Sequence, residues 1–552
     1  MSRRVIFLTF LFLFGFCSSS WAEDCGVRGY DGGSAILKFD CQDAATFATS
    51  PSPLRVSVTQ NGTTTIRGII LVDPETSPGV PNPLASKFRV RYTDTSAFPN
   101  VDVIKAIGYI PPGISTCEEL QMIGYHPNYP VTGTYKLSTD ISCSLTNPAM
   151  QGSIDCSKAS STPGSLWKCG YAARFPNGVD GIPGGGDDPG SAVATALSQT
   201  NLGTQGFKPI ANFQGTLDGN GNVISNLCIN RSSENNVGLF GSSSGSGIKN
   251  VGLQNVSVVG MDSTGGLVGG GGSVGQSGFI TNSYVTGKVT GNLYVGGLIG
   301  YEKHSAVGIS VTGSYATVEV TGIRFVGGLV GVFEASSITN SYVTGKVTGN
   351  AYVGGLIGAV DISSSVTGSY ATAEVIGIEK VGGLVGGFNA GSITNSYATG
   401  QATATFAVAG GLVGAAVVGG GPSPSVNDCY ATGAVSAPYY AGGLVGATGQ
   451  GASVTNSYAT GRVTGGSYIG GLFGTTADLE PSSITNAYWD TASTGRANGC
   501  GFGTCTNVTA FAASTDAYDP ARAPLNFWDP AVWEFRAAQN KYPKLKNVGG
   551  SQ

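Results

Sequence analysis

Short runs of β-branched and aromatic residues, separated by glycine, asparagine and serine, recur through the middle of the chain. In one repeat these runs are VGGLVGVF at residues 326–333, SSITNSYVTG at 336–345 and KVTG at 346–349. Such runs have the composition of strands, and the small residues between them are those that turn a chain. No segment of helix length shows an apolar period of 3.6 residues. The pattern predicts an all-β protein with three short strands in each repeat.

The repeat period selects among the all-β repeat folds. The phrase G-L-[VIF]-G occurs nine times, at intervals of 27 to 32 residues. A propeller blade has four strands in about 40 residues, whereas three short strands in about 28 residues suit one coil of a parallel β-helix. We therefore predict a parallel, right-handed β-helix solenoid with end caps. With coils about 4.8 Å apart, nine or ten of them make a rod of about 45 Å.

Stacked coils place equivalent residues in columns. The leucine of each phrase is expected to form an apolar ladder inside the solenoid: Leu239, Leu267, Leu298, Leu329, Leu356, Leu384, Leu412, Leu444 and Leu472. A second phrase, close to ITNSYATG, adds a tyrosine to each repeat and, in most, a threonine two residues later on the same strand face. We interpret the tyrosines as a stacking ladder that stiffens the coils. The alternatives are an exposed aromatic stripe for sugars and a threonine face that orders ice-like water.

The stretch GGLVGGFNAGSITNSYATG at residues 382–400 resembles the GLUG-motif repeat family. The resemblance extends over residues 237–489, and the flanking segments are similar too. It implies an exported bacterial protein of the adhesin-like kind, built on a repeat scaffold with no agreed catalytic residues. Some large surface proteases share the repeat, but the HExxH motif is absent from this chain.

The start of the chain predicts export. Arg3 and Arg4 precede an apolar run at residues 5–16, and small residues lead to Ala22. This arrangement is typical of a cleaved signal peptide, with the mature chain beginning at Glu23. The apolar run is shorter than the about 20 residues that span a bilayer. We expect a secreted or cell-surface protein with no membrane-spanning segment after removal of the signal peptide.

Composition shifts divide the rest of the chain. The expected parts are a signal peptide at 1–22, a small β domain at 23–112, a cap, loop-rich insert and first coil at 113–236, GLUG repeats at 237–488 and a C-terminal cap at 489–552. The small β domain is predicted to contain a hairpin turn at Asn61-Gly62. It is either a binding head or a stability domain.

Caps are needed because end coils would otherwise expose their apolar edges. Thr116 and Glu119 fit a helix capping box, with Leu120 and Ile123 on one face of the helix that follows. At the other end, aromatic residues are expected to build the cap, the alternative being a ligand-binding cluster. They are Trp489, Trp528, Trp533, Phe527, Phe535 and Tyr542.

Charge is scarce in this chain. Charged residues make up 11% of it, against about 25% in typical proteins, and glycine accounts for 88 of 552 residues. A net charge of −4 favours neither a nucleic-acid partner nor an anionic membrane. An extracellular glycan or protein is the expected partner, and the sequence identifies no residue that binds it.

Cysteines in an exported chain are candidates for disulfide bonds. Sequence proximity suggests the pairs Cys25–Cys41, Cys117–Cys143, Cys156–Cys169 and Cys500–Cys505. Cys228 and Cys429 are left over and are expected to be small buried hydrophobes. Cys17 raises the alternative of a lipoprotein, which the bulky residue before it disfavours.

Metal and cofactor sites are not expected. The chain has two histidines, His126 and His304, and neither stands at zinc-finger spacing from two cysteines. Asp180, Asp187 and Asp188 lie close enough in sequence to hold calcium, but a solvated loop is the favoured interpretation.

A polysaccharide-cleaving enzyme is the rival to a binding scaffold, since such chemistry uses paired carboxylates. Glu319 and Glu374 occupy the same repeat position two coils apart, which predicts a separation of about 10 Å. That distance is at the wide limit for an inverting pair. We expect a non-catalytic, adhesin-like scaffold for binding or display, without catalytic residues.

Overall fold

The computed structural model describes the backbone of several strands before residue 109, and the chain at 113–115, 117–124, 129–143, 206–271, 277–302, 308–361, 363–416, 423–449, 451–476 and 483–550. The predicted signal peptide, the three aspartates of the loop-rich insert and both histidines lie outside the described residues.

The N-terminal region contains short strands, as its composition predicts. They are Gly29–Asp31, Ile36–Lys38, Arg55–Gln60, Thr63–Gly68, Ile70–Val72, Lys87–Asp94 and Val101–Gly108. Arg55–Gln60 pairs antiparallel with Thr63–Gly68, and Gln60 lies opposite Thr63. Two residues separate the paired strands, and these two, Asn61 and Gly62, for which a hairpin turn is predicted, lie outside the described residues.

A short helix, α1 (Cys117–Met122), occurs where the capping box predicts one. The carboxylate of Glu119 accepts hydrogen bonds from the Ser115 backbone N–H (2.7 Å) and hydroxyl (2.9 Å). Leu120 and Ile123 are fully buried. The strands Thr134–Lys136 and Ile141–Ser142 follow the helix.

The repeats fold as a parallel β-solenoid of about nine coils of about 28 residues, as predicted. One coil shows the plan, with strands at Val330–Glu334 (sheet 1), Ser337–Thr339 (sheet 2), Tyr342–Thr348 (the tyrosine sheet) and Ala351–Gly354 (sheet 4). Each strand pairs in parallel with its equivalents in the coils before and after. The prediction of three strands per coil was wrong, because the chain bends within both VGGLVG and SITNSY.

The same four columns run through the solenoid. Sheet 1 comprises Phe240–Ser243, Val268–Gly271, Ile299–Glu302, Val330–Glu334, Ile357–Asp361, Val385–Phe388, Val413–Ala416, Val445–Thr448, Phe473–Thr475 and Cys500–Phe502. Sheet 2 includes Thr216–Asp218, Gly247–Lys249, Phe279–Thr281, Ser310–Thr312, Ser337–Thr339, Ser364–Thr367, Gly391–Thr394, Ser425–Asn427, Ser453–Thr455 and Ser483–Thr485. Sheet 4 comprises Thr264–Gly265, Leu293–Gly296, Arg324–Gly327, Ala351–Gly354, Glu379–Gly382, Val408–Gly410, Tyr440–Gly442 and Tyr468–Gly470.

The tyrosine sheet changes along its length. In the first coils it is formed by Ile141–Ser142, Val223–Ser225, Cys228–Asn230, Gly252–Val259, Tyr284–Thr290, Tyr315–Thr321 and Tyr342–Thr348. In later coils most strands are split in two: Tyr370–Ala371, Glu374–Gly377, Tyr397–Ala398, Ala402–Ala404, Tyr430–Ala431, Val435–Ala437, Tyr458–Ala459, Val463–Gly465, Ala487–Asp490 and Val508–Phe511.

The leucine ladder lies in the core as predicted. All nine leucines of the G-L-[VIF]-G phrases are fully buried. Burying one such side chain contributes about 1.5–3 kcal/mol, so the ladder is a major source of stability. The glycine that opens each phrase is required by close packing of the coils. A Cβ on Gly355 would collide with the carbonyl oxygen of Gly383 in the next coil.

The residues of the T-N-S-Y sequence form the bend between sheet 2 and the tyrosine sheet. Asn340 adopts a left-handed conformation (φ 51°), which asparagine tolerates better than most residues. Ser341 is buried, and its hydroxyl donates to the Thr339 carbonyl (2.9 Å) and accepts from the Ser314 N–H (3.2 Å). Most coils thus use a serine here to satisfy polar backbone groups of the bend.

Cys429 takes the place of the serine in one coil. It is buried and free, as the sequence predicted. Its backbone N–H donates to the Ser457 hydroxyl (3.1 Å), and its thiol lies 3.1 Å from the Asn427 carbonyl. Burial raises the pKa of this thiol well above its usual range. The cysteine therefore acts as a substitute for serine in the column.

The disulfide predictions have mixed outcomes. The Cys500–Cys505 bond is present. Cys117, Cys143 and Cys228 are also disulfide-bonded, so the expectation that Cys228 is unpaired was wrong. The pairing of Cys117 with Cys143 stays a prediction, and the pairs Cys25–Cys41 and Cys156–Cys169 lie outside the described residues.

After the last coil the chain folds back along the solenoid. It contains α2 (Thr491–Thr494), three short 3₁₀ helices and an antiparallel strand pair. The 3₁₀ helices are Asp516–Tyr518, Leu525–Phe527 and Ala537–Gln539, and the strands are Trp533–Arg536 and Lys541–Leu545. We call residues 512–550 the C-terminal strap.

Candidate binding surfaces

The tyrosines of the repeats form one continuous stack from Tyr284 to Tyr488. Successive ring centroids lie 4.7 to 5.0 Å apart, and successive ring planes are within 2° to 7° of parallel. Pairs of this kind contribute about 0.5–1.5 kcal/mol each beyond the area they bury. The stack is the ladder that the sequence predicted, and it follows directly from the parallel register of the coils.

The C-terminal strap covers the later part of this ladder. From Tyr370 onwards the tyrosines are at most 8% exposed. Trp528 and Trp533 pack against them in one apolar cluster. Two phenol groups donate to strap carbonyls, Tyr397 to Gly549 (2.6 Å) and Tyr458 to Pro543 (2.6 Å). Burial raises the pKa of both phenols well above the usual range.

The strap differs from the cap that the sequence predicted. Trp528 and Trp533 lie against the side of the solenoid over several coils rather than only across its last coil. Trp489 belongs to a strand of the tyrosine sheet, and Phe527 is 65% exposed. Tyr542 does pack against the strap cluster and hydrogen-bonds Asp490, which also caps α2.

The first three rings of the ladder are outside this cover. Tyr284, Tyr315 and Tyr342 are each partly exposed. The Gln254 side chain donates to the Tyr284 hydroxyl (2.7 Å). The threonines two residues after the rings share this face, and the Thr344 hydroxyl donates to that of Thr317 (3.0 Å). We call this part of the tyrosine sheet the open face.

A groove of about 350 Å³ adjoins the open face, where the pairing of the coils is irregular. The register shifts between Leu253 and Val256, and Asn255 adopts a left-handed conformation (φ 53°). Polar groups on the groove wall include the side chains of Asn226, Asn255 and Ser257. The side-chain amide of Asn255 donates to the side-chain oxygen Oδ1 of Asn226 (2.8 Å). Lys288 and Glu319 complete the lining.

The two glutamates of the enzyme hypothesis lie in a column of alternating charge. In register order this column is Lys288, Glu319, Lys346 and Glu374. Lys288 pairs with Glu319 (3.5 Å) and Lys346 with Glu374 (3.1 Å), and all four side chains are about half exposed. A lysine thus lies between the two carboxylates, which is the arrangement of a neutral surface row rather than of a catalytic pair.

A second aromatic row lies on sheet 4. It consists of Tyr294, Phe325 and Tyr352, with Lys380 at the same position in the next coil. Ring centroids are 5.3 Å and 4.9 Å apart. The Lys380 ammonium lies 4.3 Å from the Tyr352 centroid, and the Arg324 guanidinium lies 4.7 Å from that of Phe325. We call these residues the corner row.

The backbone of the corner row is strained. Tyr294, Phe325, Tyr352 and Lys380 have φ values of 58°, 59°, 56° and 52°. Bulky side chains seldom adopt the left-handed region, and each such residue costs about 1–3 kcal/mol. Strain of this kind clusters at functional sites, where it holds side chains in place.

Exposed apolar side chains extend the corner row along the solenoid. Ile323 and Ile378 lie two residues before Phe325 and Lys380, and their side chains are 47% and 39% exposed. Farther along, Phe406 and Tyr439 are 55% and 47% exposed, with ring centroids 5.7 Å apart. Ile378 and Phe406 lie in neighbouring coils, whereas the exposed Asn350 separates Ile378 from Ile323. Clusters of exposed apolar side chains are a common mark of an interaction site.

Sequence reasoning missed the corner row, although a pattern was available. An aromatic residue precedes V-G-G in three consecutive repeats, as NLYVGG, IRFVGG and NAYVGG.

The described residues were also compared with the requirements of a metal site and of a membrane span. Among them, no group of three or more histidine, cysteine, aspartate or glutamate side chains is arranged to hold a metal ion. Among the same residues, no helix combines the length and apolar character needed to cross a bilayer.

Comparison with known proteins supports the family resemblance. The family model described as the GLUG motif matches residues 326–348, 379–405 and 437–464, so the chain contains GLUG-motif repeats. A segment of 109 residues is 47% identical to part of halomucin from Haloquadratum walsbyi. That match covers 18% of this chain and 1% of halomucin.

Two solved structures are similar at low identity. One is a putative immunoglobulin A1 protease from Bacteroides ovatus, with a TM-score of 0.37 and 17% identity over 80% of this chain and 93% of that chain. The other is titled IgA1 Protease, with a TM-score of 0.31 and 13% identity over 80% of this chain and 27% of that chain.

Proposed function

We propose that this protein is an exported, non-catalytic repeat scaffold that uses the corner row to bind a protein outside the cell. Its GLUG repeats, its similarity to a segment of halomucin and its disulfide bonds are compatible with a repeat protein at a cell surface. The partly exposed, strained corner row, with exposed apolar side chains beside it, is the observation that carries the proposal.

The chemistry of the corner row suits a protein ligand. Aromatic residues and arginine are enriched at protein interfaces, and they dominate binding energy where they are desolvated. The rings of Tyr294, Phe325 and Tyr352 are stacked face to face, so their edges rather than their faces meet the solvent. Apolar edges beside Arg324 and Lys380 suit a partner with its own apolar and acidic groups.

The first test measures retention and ligand mass together. The chain from Glu23 is incubated with arrays of extracellular proteins and glycans, and each retained ligand is weighed by mass spectrometry. We expect retention of a protein at unchanged mass. A shortened glycan would overturn the non-catalytic scaffold and return attention to Glu319 and Glu374.

Matched variants then locate the binding surface. Phe406→Ser removes a 55% exposed ring next to the corner row, and Phe527→Ser removes a 65% exposed ring from the strap. We expect the first change to weaken protein retention at least about tenfold, or 1.4 kcal/mol, and the second to leave it unchanged. Equal retention by both variants would contradict the assignment to the corner row.

A further inference from the structure

We propose that the open face and its groove bind an uncharged polysaccharide strand. This site is separate from the corner row, since it lies on the tyrosine sheet rather than on sheet 4. The proposal therefore does not depend on the protein ligand inferred above. It rests on the contrast between the covered and open parts of a single ladder, and on the polar groups that line the open part.

The strap shows what the ladder face accepts. In the covered part, an extended segment places carbonyl oxygens against the phenol groups of Tyr397 and Tyr458. The last covered rings, Tyr370 and Tyr397, contact Gly549 and Gly550 of the strap. Tyr342, Tyr315 and Tyr284 continue the same stack with the same spacing. An occupant of the open face is thus expected to be extended and to present hydrogen-bond acceptors at regular intervals along the solenoid axis.

The lining of the open face favours hydroxyl-rich ligands over peptides. Strap residues cover the ladder with large apolar side chains, whereas the groove beside the open face presents amide and hydroxyl groups from Asn226, Asn255 and Ser257. The threonine hydroxyls of Thr317 and Thr344 extend this polar surface beside the rings. Each of these groups can donate and accept, as sugar hydroxyl groups do. A few placed polar groups in a concave site fix the orientation of a ligand.

Charge on this face is balanced. The two lysines and two glutamates of the charged column form two ion pairs, Lys288–Glu319 and Lys346–Glu374. A polyanion or polycation would have to displace one partner of each pair, whereas a neutral chain leaves both pairs intact. The open face therefore fits an uncharged polysaccharide better than a uronate or sulfated polymer.

Affinity electrophoresis of the full chain without residues 1–22 tests the proposal. The gels contain one of three neutral polymers, hydroxyethyl cellulose, β-glucan or mannan, or one of two charged polymers, polygalacturonate or dextran sulfate. We expect retardation by at least one neutral polymer, unaffected by salt. Absence of retardation by all three neutral polymers, or stronger and salt-sensitive retardation by the charged ones, would overturn the proposal.

Variants that keep the fold identify the face. Tyr315→Phe combined with Tyr342→Phe keeps the stack and removes two exposed hydroxyl groups. Asn255→Gly removes a groove amide and suits the left-handed backbone. We expect the triple variant to weaken retardation at least about tenfold. Thr399→Ala, at the equivalent threonine position of the covered part, is expected to change nothing, as is Phe406→Ser.

Two outcomes of the variant series would contradict the assignment. Unchanged retardation of the triple variant, with a melting temperature equal to that of the parent chain, would exclude the open face. Loss of retardation in Phe406→Ser would place the polysaccharide on the corner row instead. Since the triple variant leaves the corner row intact, its effect on protein retention separates failure of this proposal from failure of the protein-binding one.

Discussion

The two aromatic rows of the solenoid have similar ring spacings, 4.7 to 5.0 Å in the ladder and 4.9 to 5.3 Å in the corner row, but different backbone conformations. The tyrosine ladder stacks on extended strands and is largely buried by the strap. The corner row stacks on left-handed residues and stays partly exposed. Stacking alone therefore does not distinguish structure from function. Its backbone strain and its partial exposure distinguish the corner row from the covered ladder, because a purely structural row would gain nothing from either.

The largest expected effect on stability comes from a substitution that removes part of the strap from the tyrosine ladder. Trp533 is fully buried, and its indole N–H donates to Asp428 (3.0 Å). Trp533→Ala should destabilise the protein by about 3–5 kcal/mol, since it leaves a cavity and removes one of the hydrogen bonds that Asp428 accepts, the other coming from the Asn456 amide. Urea unfolding measures this loss. Phe527→Ala is the control, and a loss above about 0.5 kcal/mol for it would show that the strap does not act as described.

A paired glycine substitution compares the two rows directly. Tyr342→Gly removes a stacked ring from an extended strand and should cost about 2 kcal/mol or more. Phe325→Gly also removes a stacked ring, but it relieves a left-handed phenylalanine, so it should change stability by less than about 1 kcal/mol. Thermal and urea unfolding of both variants measure the difference. Equal losses would mean that the corner row is not strained.

Alkaline pH should weaken the covered ladder. Burial raises the pKa of the Tyr397, Tyr430 and Tyr458 phenols above their usual value. Because the folded-state pKa is raised, the stability that these groups provide is present below pH about 10 and is lost above it. At pH about 11 each of these three phenols should lower the free energy of unfolding by about 1.4 kcal/mol.

Phenolate absorbance, followed together with circular dichroism, tests this pH dependence. The covered tyrosines should ionise only as the protein unfolds. In Trp533→Ala, ionisation should begin at lower pH because the strap no longer excludes solvent. A smooth titration of every tyrosine near pH 10 in the folded parent chain would contradict burial of the ladder.

Sequence patterns predicted the coil and its columns because coil geometry is local and repeated. Glycines and leucines recur at a fixed spacing, as Gly355 and Leu356 do. Parallel stacking of coils buries each leucine and lets each glycine pack against the backbone of the next coil. The four-strand plan was missed because the bend at Asn340 depends on a left-handed conformation that composition does not reveal.

The surfaces were harder to predict, for physical reasons that differ between them. The left-handed conformation of Phe325 depends on its neighbours in adjacent coils, which no single repeat encodes. The strap reaches Tyr397 from a segment more than a hundred positions away in the chain, and no periodicity links the two. The column of alternating charge was not predicted, because the position of Lys346 between Glu319 and Glu374 depends on the register of the coils.

The strap covers a fixed set of coils, so coils added before that set would lengthen only the open face. Its final contacts bury the stack up to Tyr370, whatever number of coils precedes that ring. A gene duplication that inserted one coil before Tyr342 would add one tyrosine and about 4.8 Å to the open face. The covered part would keep its contacts. Selection could therefore adjust the length of the exposed stack in whole-coil steps while leaving the strap unchanged.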